Sequence, residues 1–305
     1  MSVVADNIVA LELVDPAGRR LPTWEAGAHI DLLLPSGTVR QYSLCGDLDA
    51  RHRYRIAVLR DEMSRGGSVE IHDTGLVGKH VKVGGPRNRF PLVDAPRYLF
   101  LAGGIGVTPL LAMVQQAERF GTPWQLVYGG RTPSSLGFVD ELAARRHGTV
   151  TVITEDREGR PDLRQLLSEI DSDTAVYCCG PAGMLDAVQA AGDELLAPGT
   201  LHTEHFGVPD KPDLDTSQDT GFEIELARTG VTLAVPPDRS ILDVVLDVVP
   251  NQLFFCEEGY CGTCETRVLA GEPEHRDAVL REEERKDRMM ICVGRARSSR
   301  LVLDI

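Results

Sequence analysis

Four cysteines near the end of the chain, Cys256, Cys261, Cys264 and Cys292, follow the spacing C-x4-C-x2-C with a distant fourth member. Thiolates are soft anionic ligands, and four of them at this spacing fit a plant-type [2Fe–2S] cluster, which moves one electron at a time. Two other chemistries stay open at this level. One is a four-cysteine zinc site, although Cys256 and Cys292 do not make the second CxxC pair that zinc ribbons show. The other is a redox dithiol at Cys261 and Cys264. Gly259 and Gly262 suit a crowded loop whose amides turn toward sulfur.

A second chemical signal lies at Leu101-Ala102-Gly103-Gly104-Ile105-Gly106-Val107-Thr108-Pro109. The run joins an apolar strand to a helical pattern, so its glycines let backbone approach a pyrophosphate at a helix N-terminus. Pro109 fits the first helical position and Thr108 the cap before it. The spacing departs from G-x-G-x-x-G, so the Rossmann fingerprint is not met, and a plain tight turn is the competing reading.

The elements that must position these groups fall into three stretches. Short strands at Ile8–Val14, Ala28–Leu34, Val39–Leu44, Tyr54–Leu59 and His80–Val83 are separated by turn residues, including Gly84-Gly85-Pro86, with one short helix after Gly67. They predict a small antiparallel β-barrel over residues 1–95. Strands then alternate with helices: Tyr98–Ala102, helix 109–120, Trp124–Tyr128, helix 135–146, Val150–Thr154, helix 163–170, Ala175–Cys179, helix 184–196 and Thr200–His205. That rhythm predicts a doubly wound parallel sheet over 96–206, with ligands beyond the strands' carboxyl ends. Residues 207–220 read as a linker rich in Pro, Asp, Ser and Thr. The last unit, 221–305, carries strands near Phe222–Ala227, Thr232–Val235, Thr266–Leu269 and Leu301–Leu303, and a helix at 241–248.

Composition narrows the partners. A net charge of −14 argues against nucleic acid and is compatible with a basic protein surface or with simple solubility. Seven cysteines in 305 residues do not suggest a disulfide scaffold. Cys45 reads as part of a strand edge, and Cys178 and Cys179 close another strand. No apolar run is long enough for a membrane span, and the N-terminus lacks secretory features, so a cytoplasmic protein is expected.

Arg40-Gln41-Tyr42-Ser43, Gly66-Gly67-Ser68, the glycine turn and Cys179-Gly180-Pro181 together resemble the ferredoxin–NADP reductase superfamily in order and spacing. With a cluster domain at the end, nearly the whole chain resembles the phthalate dioxygenase reductase and vanillate O-demethylase reductase group. The resemblance implies a β-grasp fold for the last unit and FMN, rather than FAD, between the first two. It implies that Arg40 and Ser68 serve the flavin phosphate with Arg65, Gly66 and Gly67. Tyr42 would then lie against the isoalloxazine, Ser43 near its N5, and Gln41, Ala57, Val58 and Leu59 alongside. Gly103, Gly104, Gly106, Thr108, Pro109, Arg131, Gly180 and Pro181 are the implied nucleotide contacts. Cys179 and Glu204 would flank the hydride-transfer position, and Phe206 would occupy the place of a terminal aromatic.

The implied activity is an NADH-dependent reductase passing electrons through FMN and the cluster to a separate Rieske-type oxygenase or O-demethylase. A cytochrome P450 acceptor is the alternative, and a redox sensor without turnover is a rival of another class. Glu155 and Asp156 suit a free ribose diol and hence NADH, whereas Arg131 suits the phosphate of NADPH. Glu257, Glu258 and Glu265 beside the cluster loop would bias partner choice or form a solvated rim.

Overall fold

The computed structural model describes residues 1–62, 66–206, 219–254, 257, 259, 261–277 and 279–305. Arg65, Cys256, Glu258 and most of the expected linker therefore lie outside the described residues. The chain divides into two compact units, residues 1–207 and 208–305.

The first unit begins with β1 (Ser2–Ala5), β2 (Ile8–Val14), β3 (Ala28–Leu33), β4 (Val39–Ser43), β5 (Arg53–Leu59), α1 (Gly67–Asp73) and β6 (Lys82–Asn88). They form two antiparallel sheets in the orders β1-β2-β5 and β4-β3-β6. Ile30, Leu32 and Ile56, all fully buried, fill the space between with Trp24 and Phe90. β1 carries no strand signal in sequence, yet it pairs with β2. Gly84, Gly85 and Pro86, expected as a turn, instead sit inside β6, where a register shift opposite His29 and Asp31 absorbs them as a bulge.

The same unit continues with β7 (Arg97–Gly103), α2 (Val107–Phe120), β8 (Trp124–Gly130), α3 (Val139–Ala143), β9 (Gly148–Thr154), α4 (Leu163–Ser168), β10 (Thr174–Cys179), α5 (Ala182–Leu195) and β11 (Leu201–Glu204). The strands make one parallel sheet in the order β11-β10-β7-β8-β9. Alternation along β7 sends Phe100 and Ala102 to the core that holds Leu110 and Val114 of α2. Leu99 and Leu101 face Leu185 and Val188 of α5. Helices thus cover both faces, as a buried parallel sheet requires. The helix expected over 135–146 shrinks to α3, because a 3-10 turn at Pro133–Ser135 and Phe138 at φ 65 interrupt it.

The second unit holds β12 (Phe222–Leu226), β13 (Val231–Val235), α6 (Ile241–Leu246), β14 (Glu265–Ala270), β15 (Pro273–Glu274), β16 (Arg288–Met290), β17 (Arg295–Ala296) and β18 (Arg300–Leu303). A mixed sheet runs β13-β12-β18-β14-β16, with β15 and β17 paired beside it, giving the β-grasp. Ser240 and Asp243 form a capping box at the start of α6. Its Ile241, Leu242 and Val245 pack on Ile224 and Leu301. No helix among the described residues is long and apolar enough to cross a membrane.

Candidate functional site

The parallel sheet reverses its direction of growth between β7 and β10, and the crevice at such a point is where these sheets bind ligands. Backbone crowding there is severe. A Cβ on Gly106 would lie 2.2 Å from the Cys179 carbonyl oxygen, and one on Gly180 would lie 3.0 Å from Gly103 Cα. One on Gly103 would meet Pro181 Cδ at 2.5 Å. The loops after the two strands therefore pack too closely for any side chain at Gly103, Gly106 or Gly180. Gly104 adopts φ +52, and its carbonyl accepts the Tyr128 hydroxyl at 3.1 Å. Thr108 does not cap the helix: a 3-10 turn at Gly104–Gly106 runs straight into α2, and the Thr108 hydroxyl donates to Ile105 O at 3.0 Å. Pro109 accordingly lies in the first turn, not at its first position.

Along β4, alternation puts Arg40 and Tyr42 on one face and Gln41 and Ser43 on the other. Arg40 donates from Nη1 to Val39 O at 2.8 Å, and its stem fills the space over Gly67, where a Cβ would be 2.6 Å from Nε. Burial pushes the Tyr42 hydroxyl well above its ordinary range. Ser68 is buried, and its hydroxyl donates to Asp61 O at 3.3 Å while accepting the Asp61 amide at 3.1 Å. Ala57 and Val58 are buried on β5, whereas Leu59 is exposed, and Val58 O meets His72 Nε2 at 3.0 Å. Gln41 turns away from Arg40 and Tyr42, donating to Asp31 Oδ1 at 3.0 Å.

Ser43 faces the other half of the unit: its Oγ lies 3.5 Å from Glu204 Oε2, across 161 positions of sequence. Cys179 pairs with Glu204 in the β10–β11 register. Burial raises the Glu204 carboxyl from the usual 4.5 to about 8, against a smaller downward pull from Ser43. Burial and then the neighbouring Glu204 push the Cys179 thiol well above its ordinary value. The end of β4, the end of β10 and the end of β11 thus meet at one point, holding a hydroxyl, a neutral thiol and a proton-retaining carboxyl. Phe206, just beyond β11, is half exposed. Ser43 and Cys179 are buried there while Glu204 stays partly accessible, so a planar redox ring laid against them would cover the carboxyl and the proton it holds.

At the outer end of the sheet, amides of Glu155 and Asp156 donate to Gly130 O at 2.9 Å and Arg131 O at 3.2 Å, knitting the loops after β8 and β9. Arg131 is exposed, and the Glu155 carboxylate is paired with Arg160 at 3.3 Å.

In the second unit Cys261, Cys264 and Cys292 are all buried. Gly259 and Gly262 take φ +76 and +77, and the Thr263 amide donates to Cys261 Sγ at 3.4 Å. Such a loop, with an amide aimed at sulfur, fits a cluster ligated by thiolates. No group of three metal-binding side chains converges among the described residues, but Cys256 is not one of them.

Sequence reasoning passed over a buried ion network near the start of this unit. Arg276 donates to Asp219 at 2.6 and 3.0 Å and to Glu274 at 2.7 Å. Arg295 is 3.5 Å from the same Asp219. No local pattern links residues so far apart.

Residues 224–297 match the 2Fe-2S iron-sulfur cluster binding domain family, and residues 100–190 match the oxidoreductase NAD-binding domain family. The phthalate 4,5-dioxygenase oxygenase reductase subunit of Pseudomonas putida is 41% identical over 99% of this chain and 94% of its own length. The solved structure of phthalate dioxygenase reductase, a modular structure for electron transfer from pyridine nucleotides to [2Fe–2S], superimposes with a TM-score of 0.69 at 38% identity. It covers 100% of this chain and 95% of that one. An intact type IV self-sufficient cytochrome P450 monooxygenase aligns with a TM-score of 0.87 at 41% identity. All of this chain is covered there, but it spans only 40% of that longer protein.

Proposed function

Because the chain belongs to the phthalate dioxygenase reductase family, we propose that it is the NADH-dependent reductase component of a Rieske-type aromatic oxygenase or O-demethylase. The flavin FMN supplies two-electron uptake with one-electron release, and the [2Fe–2S] centre supplies one-electron carriage. The observation that carries the reading is the approach of Ser43 to Glu204 beside Cys179, next to the glycine contact at the switch point.

The division of labour follows the elements. Residues 1–95 hold the flavin, 96–206 the nucleotide, 207–220 tether, and 221–305 hold the cluster. Arg40, Arg65, Gly66, Gly67 and Ser68 bind the flavin phosphate, and Tyr42 covers the ring. Gly103, Gly104, Gly106, Thr108, Pro109, Gly180 and Pro181 shape the pyrophosphate and nicotinamide pocket, with Arg131 at its far end. Ser43 and Glu204 hold a proton beside the reacting ring, and Cys179 limits water there. Phe206 lies at the edge of that ring. Cys256, Cys261, Cys264 and Cys292 ligate the two irons. Work in the cytoplasm, with a separate oxygenase as acceptor, completes the proposal.

Glu155 and Asp156 favour the free ribose of NADH. Anaerobic rapid mixing with either nucleotide tests this: flavin bleaching with NADH and little with NADPH is expected, and the reverse preference overturns it. Reduction of cytochrome c tests flow through the cluster. A cytochrome P450 acceptor is the second reading, favoured by the match of the whole of this chain to 40% of a self-sufficient P450. Electron delivery to a purified Rieske oxygenase but not to a P450 separates the two.

A further inference from the structure

One face of the β4-β3-β6 sheet carries a buried polar cluster that the reading above leaves unused. Ile30 and Leu32 of β3 enter the core, so His29 and Asp31 point the other way, yet they are only 6% and 2% exposed. Leu44 N donates to Ala28 O at 2.8 Å, which makes residues 28 and 44 a hydrogen-bonded pair. The next pair, His29 with Ser43, is then of the close, non-hydrogen-bonded kind, with Cβ atoms about 5 Å apart on one face. Asp31 with Gln41 is the following pair on that face.

Gln41 Nε2 has two hydrogens and two acceptors, Asp31 Oδ1 at 3.0 Å and His29 Nε2 at 3.4 Å. An amide nitrogen does not accept, so His29 Nε2 is bare and the ring hydrogen sits on Nδ1. Burial first, and then the Arg87 guanidinium, bring His29 down to about 4, so the ring is neutral. β6 is shaped to the same cluster. Its bulge falls between the partners of His29 and Asp31, with Gly85 at φ +94. The bulge sets Arg87 opposite His29 while its Nη2 reaches Asp31 Oδ2. A Cβ on Gly84 would come 3.3 Å from that oxygen, so glycine there leaves room for the carboxylate. Bonds thus run from Arg87 through Asp31 and Gln41 to His29, whose ring stands beside Ser43.

We propose that His29 is a positioning residue for Ser43, and that Gln41, held by Asp31 and Arg87, fixes the ring that does the positioning. A ring locked at Nε2 is a rigid wall beside the Ser43 hydroxyl, which is 3.5 Å from Glu204 Oε2. Being uncharged, the ring also leaves the Glu204 proton in place. A hydroxyl set in advance needs no reorganisation when the flavin reacts. The inference rests on the placement of Ser43 beside the reacting ring proposed above. It makes Gln41 a support behind that site rather than a flavin contact.

The test is anaerobic rapid mixing of the FMN-loaded full chain with a range of NADH concentrations, with rates taken per bound flavin. Gln41→Leu keeps the volume and removes both hydrogens, and His29→Phe keeps a planar ring and removes both nitrogens. Each should slow flavin bleaching at saturating NADH by roughly 10-fold and leave the half-saturating NADH concentration unchanged. The double variant should be no slower than the slower single one, because both changes act through one contact. Losses that multiply in the double variant overturn the proposal. So does an unchanged rate in either single variant, or a half-saturating concentration that rises as far as the rate falls. If His29→Phe does not retain FMN, the rate of Gln41→Leu at saturation decides alone. An unaltered chain that NADH does not bleach would instead defeat the functional reading.

Discussion

Two carboxylates in this chain answer their surroundings in opposite ways. Asp219, where the second unit begins, is gripped by Arg276 and Arg295, so its charge is matched within hydrogen-bonding reach. Glu204, at the end of β11, has a serine hydroxyl at 3.5 Å, and burial drives its carboxyl to about 8. A matched buried ion mainly fixes structure, because removing one partner strands the other. A carboxyl whose proton affinity lies near neutral can trade that proton, which is what a redox site needs. The difference separates an anchoring group from the one proposed to handle a proton.

The largest expected effect falls on neither carboxylate. Cys264→Ser removes one of the four proposed cluster ligands and should abolish cytochrome c reduction while ferricyanide, reached from the flavin, is still reduced. Equal loss of both activities would mean that the two units do not act in series. Arg276→Ala should cost up to roughly 3–5 kcal/mol in denaturant unfolding of the second unit, since Asp219 loses its two short bonds and keeps the longer 3.5 Å contact with Arg295. The rate of flavin reduction should not change. Glu204→Gln should do the reverse, slowing flavin reduction by roughly 100-fold while the fold persists. It should also alter the response to pH. A carboxyl raised from 4.5 to about 8 binds more protons folded than unfolded between those values, so stability falls as pH rises through that window. The variant should lose that component of the decline, as read from melting temperature against pH. The smallest change belongs to Arg119→Ala, whose exposed pairs with Asp47 and Asp49 should be worth roughly 0.2–1 kcal/mol. If Arg276→Ala slowed flavin reduction, or Glu204→Gln cost stability without slowing it, the contrast between the two carboxylates would fail.

Local chemistry was legible where it depends on spacing. The cysteine interval and the strand–glycine–helix run can be read directly, because each is set by neighbours a few residues apart. The alternation of strands and helices between Arg97 and Glu204 announces a parallel sheet for the same reason. Other features answer to distant contacts. β1 has too little pattern to announce itself and is made by β2. Phe138 takes a left-handed backbone that a helical period cannot foresee. Thr108 looks like a cap because of its type, yet the preceding glycines already turn the chain into the helix. Gly84 to Pro86 look like a turn, yet β3 holds them in a strand. The Asp219–Arg276 pair spans 57 positions, so neither residue carries a local sign of the other.

β1 has one practical outcome for anyone handling this protein. Beyond pairing with β2, the segment it leads into is stitched to the nucleotide-binding half: the Asp6 amide donates to Ser134 O at 2.8 Å, and Gly137 lies beside Val4. The first six residues therefore act as a strap over two parts of one unit. An affinity tag fused there, or trimming by a protease, would tug on that strap, so a carboxyl-terminal handle is the safer choice for purification.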